Sequence, residues 1–306
     1  MSMNTEMSMD TNWKGPLYLA IAAAIWGGMY VASKYALDTI PPFTLLFIRY
    51  LVAAVILVAW CRRLRIPVLP QSDRGLLFRI GFFGYFLSIA SQFIGTRLST
   101  AHLGAAITTL SPVFQSGFAV SLLGAAMSRR QGAALLLSGA GVLVIAEPAG
   151  LGRGATLNPG NLFLLVAAGL WGYYSVLAKQ AAERHSSLQI TTVGILWAAL
   201  FSLPAALAER SAWDPAALRS VPVWLSVAYV AVIATTVAYY CWNKGLALTN
   251  PHRAGLFFFL QPVVGSLLGW ALLGETLTPA FGAGSLLILA GVYLSLDNPK
   301  ARAVAS

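Results

Sequence analysis

Hydrogen-bonding and aromatic side chains recur at helical spacing inside sequence that is otherwise apolar. Trp26, Tyr30 and Ser33 form one such stripe, and Trp171, Tyr174 and Ser175 another. Ser88, Ser91 and Gln92 make a third; Thr108, Ser111 and Gln115 a fourth. Thr235, Tyr239, Trp242 and Asn243 follow, then Phe258 with Gln261. Residues three and four apart share a helix face, so each stripe presents its polar groups in one direction. Polar groups in an apolar helix are costly unless that face meets protein or water. Neutral hydrogen-bonding groups combined with π-faces suit a small zwitterion with an apolar side chain. The substrate-binding candidates are therefore Trp26, Tyr30, Gln92, Ser111, Gln115, Trp171, Tyr174, Tyr239, Trp242, Asn243, Phe258 and Gln261. Taken singly, each has an ordinary alternative, because Trp and Tyr also form interfacial belts and Ser, Thr and Gln also bridge packed helices.

The missing chemistry narrows the function further. The ten acids are Glu6, Asp10, Asp38, Asp73, Glu147, Glu183, Glu209, Asp214, Glu275 and Asp297, and none falls in the middle of an apolar span. A membrane-embedded enzyme would need a nucleophile with a base, or acids and histidines grouped to hold a metal. No such motif occurs, so no catalytic residue, metal or cofactor is expected. Proton-driven carriers usually carry an intramembrane carboxylate, and its lack favours facilitated diffusion or exchange over proton coupling. His102 and His252 stand at helix starts and are the side chains left to carry a proton, although solvated or structural roles are commoner there. Arg49 is the one charge well inside a span, placed either to bind a carboxylate or to snorkel to the interface. Cys61 and Cys241 have neither metal-ligand spacing nor a disulfide pattern and read as small buried hydrophobes.

The elements that carry these residues are membrane spans. Of 306 residues, 58% are hydrophobic and 10% charged, against about 25% charged in a soluble domain. Mean hydropathy is +0.73. Apolar runs of the length that crosses a bilayer are predicted at 17–36, 43–61, 76–95, 102–124, 132–147, 160–179, 189–208, 222–243, 253–273 and 280–296. Prolines such as Pro41, Pro42, Pro67, Pro70, Pro159, Pro222 and Pro279 stand at the joints, where a missing amide does least harm. Pro112 and Pro262 do not. They fall near the centres of their spans, where each should bend its helix, and they are the predicted hinges. The polar, weakly acidic start, Met1 to Gly15, lacks the basic character of a cleaved signal peptide.

The chain repeats itself. His102 and His252, Pro112 and Pro262, and Gly124 and Gly274 are each 150 residues apart; Trp26-Gly27 with Lys34 returns as Trp171-Gly172 with Lys179 at a spacing of 145. This predicts an all-α membrane protein of ten transmembrane helices, written as a five-helix unit over 17–147 and a second over 160–296, joined by the Gly- and Pro-rich stretch 147–160. An odd number of spans per unit makes the second unit enter the membrane inverted. Inverted repeats are characteristic of transporters, with the substrate site at the interface between them near the midplane. With the N-terminus inside, 14 basic residues fall on the cytoplasmic side: Lys14, Arg62, Arg63, Arg65, Arg74, Arg79, Arg129, Arg130, Lys179, Arg184, Lys244, Arg253, Lys300 and Arg302. Five fall outside: Lys34, Arg97, Arg153, Arg210 and Arg219. The positive-inside rule therefore predicts cytoplasmic N- and C-termini. The net charge of +10 is explained by this distribution rather than by nucleic acid.

Trp-Gly followed by Lys in the first helix of each unit resembles the drug/metabolite transporter superfamily, EamA type. The central proline and the closing Leu273-Gly274-Glu275 are similar to that family's fourth helix, as Phe47-Ile48-Arg49-Tyr50 is to its second. The likeness runs from about Leu17 to Leu296. One departure is Gly124-Ala125, where the pattern has Gly-Glu. The resemblance implies export of amino acids, related metabolites or small amphipathic compounds across the inner membrane of a bacterium, and the aromatic-rich helices look most like the aromatic amino-acid exporters. A proton-coupled multidrug or metabolite efflux pump is the alternative. The expected partners are a small-molecule substrate and the lipid bilayer, with the chain a monomer or homodimer.

Overall fold

The computed structural model describes residues 13–70, 72–99, 101–146, 159–212, 219–273 and 279–295, and within them the chain is helical with no strand. The main helices are α1 (Lys14–Leu37), α2 (Pro42–Arg63), α3 (Arg74–Leu98), α4 (Ala101–Thr108), α5 (Ser111–Leu123) and α6 (Arg129–Ala146). They continue as α7 (Pro159–Ala181), α8 (Ser187–Ala208), α9 (Val221–Leu248), α10 (Pro251–Leu256), α11 (Leu260–Leu273) and α12 (Pro279–Ser295). Six of them, α1, α2, α3, α7, α8 and α9, are long and apolar enough to cross a membrane.

The molecule is apolar on its outside and mixed inside. Val55, Leu136, Leu143, Leu286 and Tyr293 are each at least 65% exposed, whereas Thr191, Asn243, Gln115, Gln261 and Arg49 are buried. Such a surface would aggregate in water and is at home in lipid. The most extensive helix packing joins the two halves of the chain: α2 lies against α8, α3 and α5 against α7, α1 against α9 and α11, and α6 against α12.

Two glycines let these pairs close. A Cβ on Gly27 would lie 2.8 Å from the Gln261 carbonyl oxygen, and one on Gly172 would lie 2.6 Å from the Gln115 amide nitrogen. The glycine of each Trp-Gly pair thus admits the backbone of a proline-bearing segment. At each such segment the helix is interrupted. α4 and α5 are separated by a turn at residues 109–110, and α10 and α11 by a 3-10 turn, Phe257–Phe259. Pro112 has no amide to donate to the Thr108 carbonyl, and the Ser111 hydroxyl takes that carbonyl instead at 2.6 Å. α5 ends at Gly124, whose φ of +59° suits a residue without a Cβ.

α3 and α9 each contain a π-helical stretch, Ile80–Leu87 and Tyr229–Val237. α9 also runs to Leu248, beyond the expected end at 243. The Lys179 ammonium donates to the Ala247 carbonyl at 3.0 Å, so a cation from α7 satisfies the last turn. Polar clamps hold the ends of the α2–α3–α8 group. Asp73 accepts from Arg184 at 2.7 Å and contacts His185 Nε2 at 3.0 Å; Glu209 accepts from the Thr44 amide at 2.8 Å and its hydroxyl at 3.1 Å. Of the expected joint 147–160, residues 147–158 lie outside the described residues and 159–160 already belong to α7; the Gly274-Glu275 motif and the side chains of Lys34 and His102 also lie outside them.

Candidate functional site

At the centre of the bundle the two Trp-Gly helices face each other. Trp26 of α1 meets Trp171 of α7 edge to face, with ring centroids 5.0 Å apart at 88°. Tyr239 and Trp242 of α9 close on Trp26 at 5.5 and 5.4 Å, and Phe258 joins at 5.8 Å. Edge-to-face pairs at these distances are each worth about 0.5–1.5 kcal/mol beyond burial, so the five rings hold one another in place. The Trp26 indole N–H donates to the Ala234 carbonyl at 2.9 Å, inside the π-helical stretch of α9. π-turns of this kind often mark functional sites.

These rings bound a cavity of about 20 Å³. Trp26, Trp171, Tyr239 and Phe258 form its aromatic walls; Tyr30, Gln92 and Gln261 supply polar groups, and Met29 and Ile89 complete it. That volume holds about one water molecule. A metabolite of amino-acid size does not fit in that volume, so it enters only if the surrounding helices separate.

One layer out lies a polar network. Asn243 donates to the hydroxyls of Tyr85 and Thr191, each at 2.8 Å, and accepts from the Tyr174 hydroxyl at 2.8 Å. The Tyr85 and Tyr174 hydroxyls are themselves 3.1 Å apart. The Tyr85 ring stacks on Tyr239 at 4.5 Å, which links this network to the cavity wall. The Tyr50 hydroxyl donates to the Tyr85 carbonyl, and Tyr30 bonds to Thr108.

Of the residues predicted from sequence, Trp26, Tyr30, Gln92, Trp171, Tyr239, Phe258 and Gln261 share the cavity. Tyr174, Trp242 and Asn243 stand directly behind it. Ser111 and Gln115 are engaged elsewhere: Ser111 in its bond to Thr108, and Gln115 in a 2.7 Å bond to the Pro251 carbonyl that stitches α5 to α10. Pro112 and Pro262 flank the helix interruptions, next to Gln115 and Gln261. Tyr85, Met29 and Ile89 escaped the sequence reading. Tyr85 falls three residues before Ser88, the one signal in the sequence that hints at it.

The geometry is that of a small, neutral, aromatic-walled cavity between two halves of a helical bundle. The EamA-like transporter family model matches residues 13–146 and again 158–296. A "Probable amino-acid metabolite efflux pump" of Salmonella typhimurium is 28% identical over 93% of this chain and 95% of its own length. Its namesake from Escherichia coli is 26% identical over 90% and 92%. An "Uncharacterized transporter YetK" of Bacillus subtilis is 27% identical over 92% of this chain and 86% of its own. A crystal structure of another protein superposes with a TM-score of 0.77 at 20% identity, covering 97% of this chain and 99% of that one, and so shares the fold. With both halves matched, this chain belongs to the EamA-like transporter family and is a transmembrane transporter.

Proposed function

We propose that this protein exports amino acids or related small amphipathic metabolites from the bacterial cytoplasm by alternating access, as a facilitator or exchanger. The observation that carries the reading is the aromatic-walled cavity, whose lining comes from both halves of the chain and includes no carboxylate. The names of the Salmonella and Escherichia relatives point the same way. In this reading α4 with α5, and α10 with α11, each form one interrupted span, which makes ten spans with both termini in the cytoplasm. Two inverted repeats are supported by paired local features. π-helical stretches occur at Ile80–Leu87 and Tyr229–Val237, and breaks precede Pro112 and Pro262. Gly27 and Gly172 receive equivalent backbone approaches.

Pro112 and Pro262 then act as paired hinges, one opening the inner vestibule and the other the outer. The deciding measurement is counterflow of a radiolabelled amino-acid panel in proteoliposomes held at equal pH on both sides. Exchange without a pH gradient is the expected result. Accumulation driven only by an imposed pH difference would replace this mechanism with proton-coupled efflux and direct attention to His102 or to His252, a buried histidine whose Nε2 contacts the Ala125 carbonyl at 3.1 Å.

A further inference from the structure

Arg49 is fully buried in the middle of α2. Its Nε donates to the Thr235 hydroxyl at 2.8 Å, while Nη1 and Nη2 are buried with no hydrogen-bond partner. Rings surround the guanidinium, with Tyr50 and Phe93 at 5.3 Å and Tyr239 at 6.0 Å. Among the described residues no carboxylate pairs with it; the described ion pairs belong to Arg184 and His185 with Asp73. A guanidinium does not shed its proton, and burying it unpaired is costly. π-faces offset only part of that cost. The helix therefore does not let Arg49 snorkel, and it holds a cation ready for an anion.

The same bias runs through the adjoining cavity. The Trp171 indole N–H, which can only donate, is buried without a partner, as are the side-chain amide nitrogens of Gln92 and Gln261. The lining presents these unpaired donors, ring faces and neutral amide and hydroxyl groups, and no ionised acid. Resting on the export reading above, we infer that Arg49 is the anion-recognition residue and that the substrate must carry a carboxylate. The carboxylate seats beside Tyr239 and takes the free edge of the guanidinium in the forked geometry that arginine favours. Tyr239 lies between Arg49 and the cavity, so its ring has to move aside as the cavity widens. With no acid to meet an ammonium, the α-amino group meets only ring faces and the neutral oxygens of Gln92, Gln261 and Tyr30, so it contributes less than the carboxylate.

The test compares four probes on wild-type protein in proteoliposomes: L-phenylalanine, its deaminated acid 3-phenylpropionate, its amide, and phenethylamine. Each is assayed for competition with L-phenylalanine counterflow and for quenching of tryptophan fluorescence, since three indoles line or back the cavity. The two carboxylates should compete and quench; the amide and the amine should be at least tenfold weaker. Amide or amine acting as well as the acid would overturn the Arg49 assignment and leave the export reading standing. No exchange of any probe would remove the amino-acid reading, and the assignment with it. Arg49→Met and Arg49→Lys provide the second arm. Arg49→Met should melt no lower than wild type without ligand, because it removes an unpaired buried charge, yet lose the response to 3-phenylpropionate. A large drop in melting temperature with carboxylate affinity retained in Arg49→Lys and Arg49→Met would mark the arginine as structural and end the proposal.

Discussion

Asn243→Leu is the substitution whose effect follows most directly from the geometry. Leucine keeps the branched outline of the buried asparagine, with bulkier methyl ends, and deletes three hydrogen bonds of 2.8 Å, to Tyr85, Thr191 and Tyr174. Interhelical hydrogen bonds in membrane bundles average about 0.6 kcal/mol each, so the three together are worth about 2 kcal/mol. The survivors keep the loss from growing. Tyr85 and Tyr174 retain each other at 3.1 Å, and the Thr191 hydroxyl still donates to the Ser187 carbonyl at 2.7 Å. The expected outcome is a destabilisation of about 2 kcal/mol in reversible unfolding by sodium dodecyl sulfate in mixed micelles. Exchange should also slow at temperatures where the variant is folded, because Tyr85 stacks on the cavity residue Tyr239. A double-mutant cycle with Tyr174→Phe isolates one bond and should return a coupling of about 0.6 kcal/mol, and no more than about 1.7. An Asn243→Leu variant within about 0.5 kcal/mol of wild type would show that the rings alone hold the site and that the network contributes nothing.

Gly172→Ala places a methyl group 2.6 Å from the Gln115 nitrogen and should destabilise by about 1–3 kcal/mol, read as a lower thermal midpoint in detergent. An unchanged midpoint would mean that α5 and α7 can separate freely. Trp171→Ala and Tyr239→Ala should each cut exchange severely while the protein remains folded by gel filtration, since each removes one wall of the cavity; wild-type rates in both would assign these rings to packing alone. Pro112→Ala or Pro262→Ala should slow exchange more than it weakens substrate binding, because a restored backbone bond stiffens the interrupted helix. Equal losses in both would argue against a hinge. An accessibility-tag scan should find the 62–74 loop on the cytoplasmic side, and labelling from outside the cell would end the proposed topology.

Much of this molecule is written in its local sequence. Apolar length and sparse charge announce membrane helices, because the cost of an exposed peptide group in lipid leaves a single chain segment few alternatives. The stripe containing Trp26 and Tyr30, and that of Trp171 and Tyr174, follow from helical period, and the punctuating prolines follow from a missing amide. Other features depend on partners distant in sequence. Tyr85 becomes part of the site because Asn243 and Tyr239 reach it across the bundle. Gln115 shares its stripe with Thr108 and Ser111, yet the approach of Gly172 and the Pro251 carbonyl turns it into a stitch between helices. The π-helical stretches of α3 and α9 carry no local marker that hydrophobic period detects. Arg49 shows the division most clearly. From sequence, snorkelling to the interface and binding an anion were equally open, since a long side chain near mid-span can do either. Only the packing of Tyr50, Phe93 and Tyr239 around the guanidinium, with Thr235 holding Nε, decides its direction. A residue's period along its own helix is a local property; what it faces depends on helices brought together from the other half of the chain.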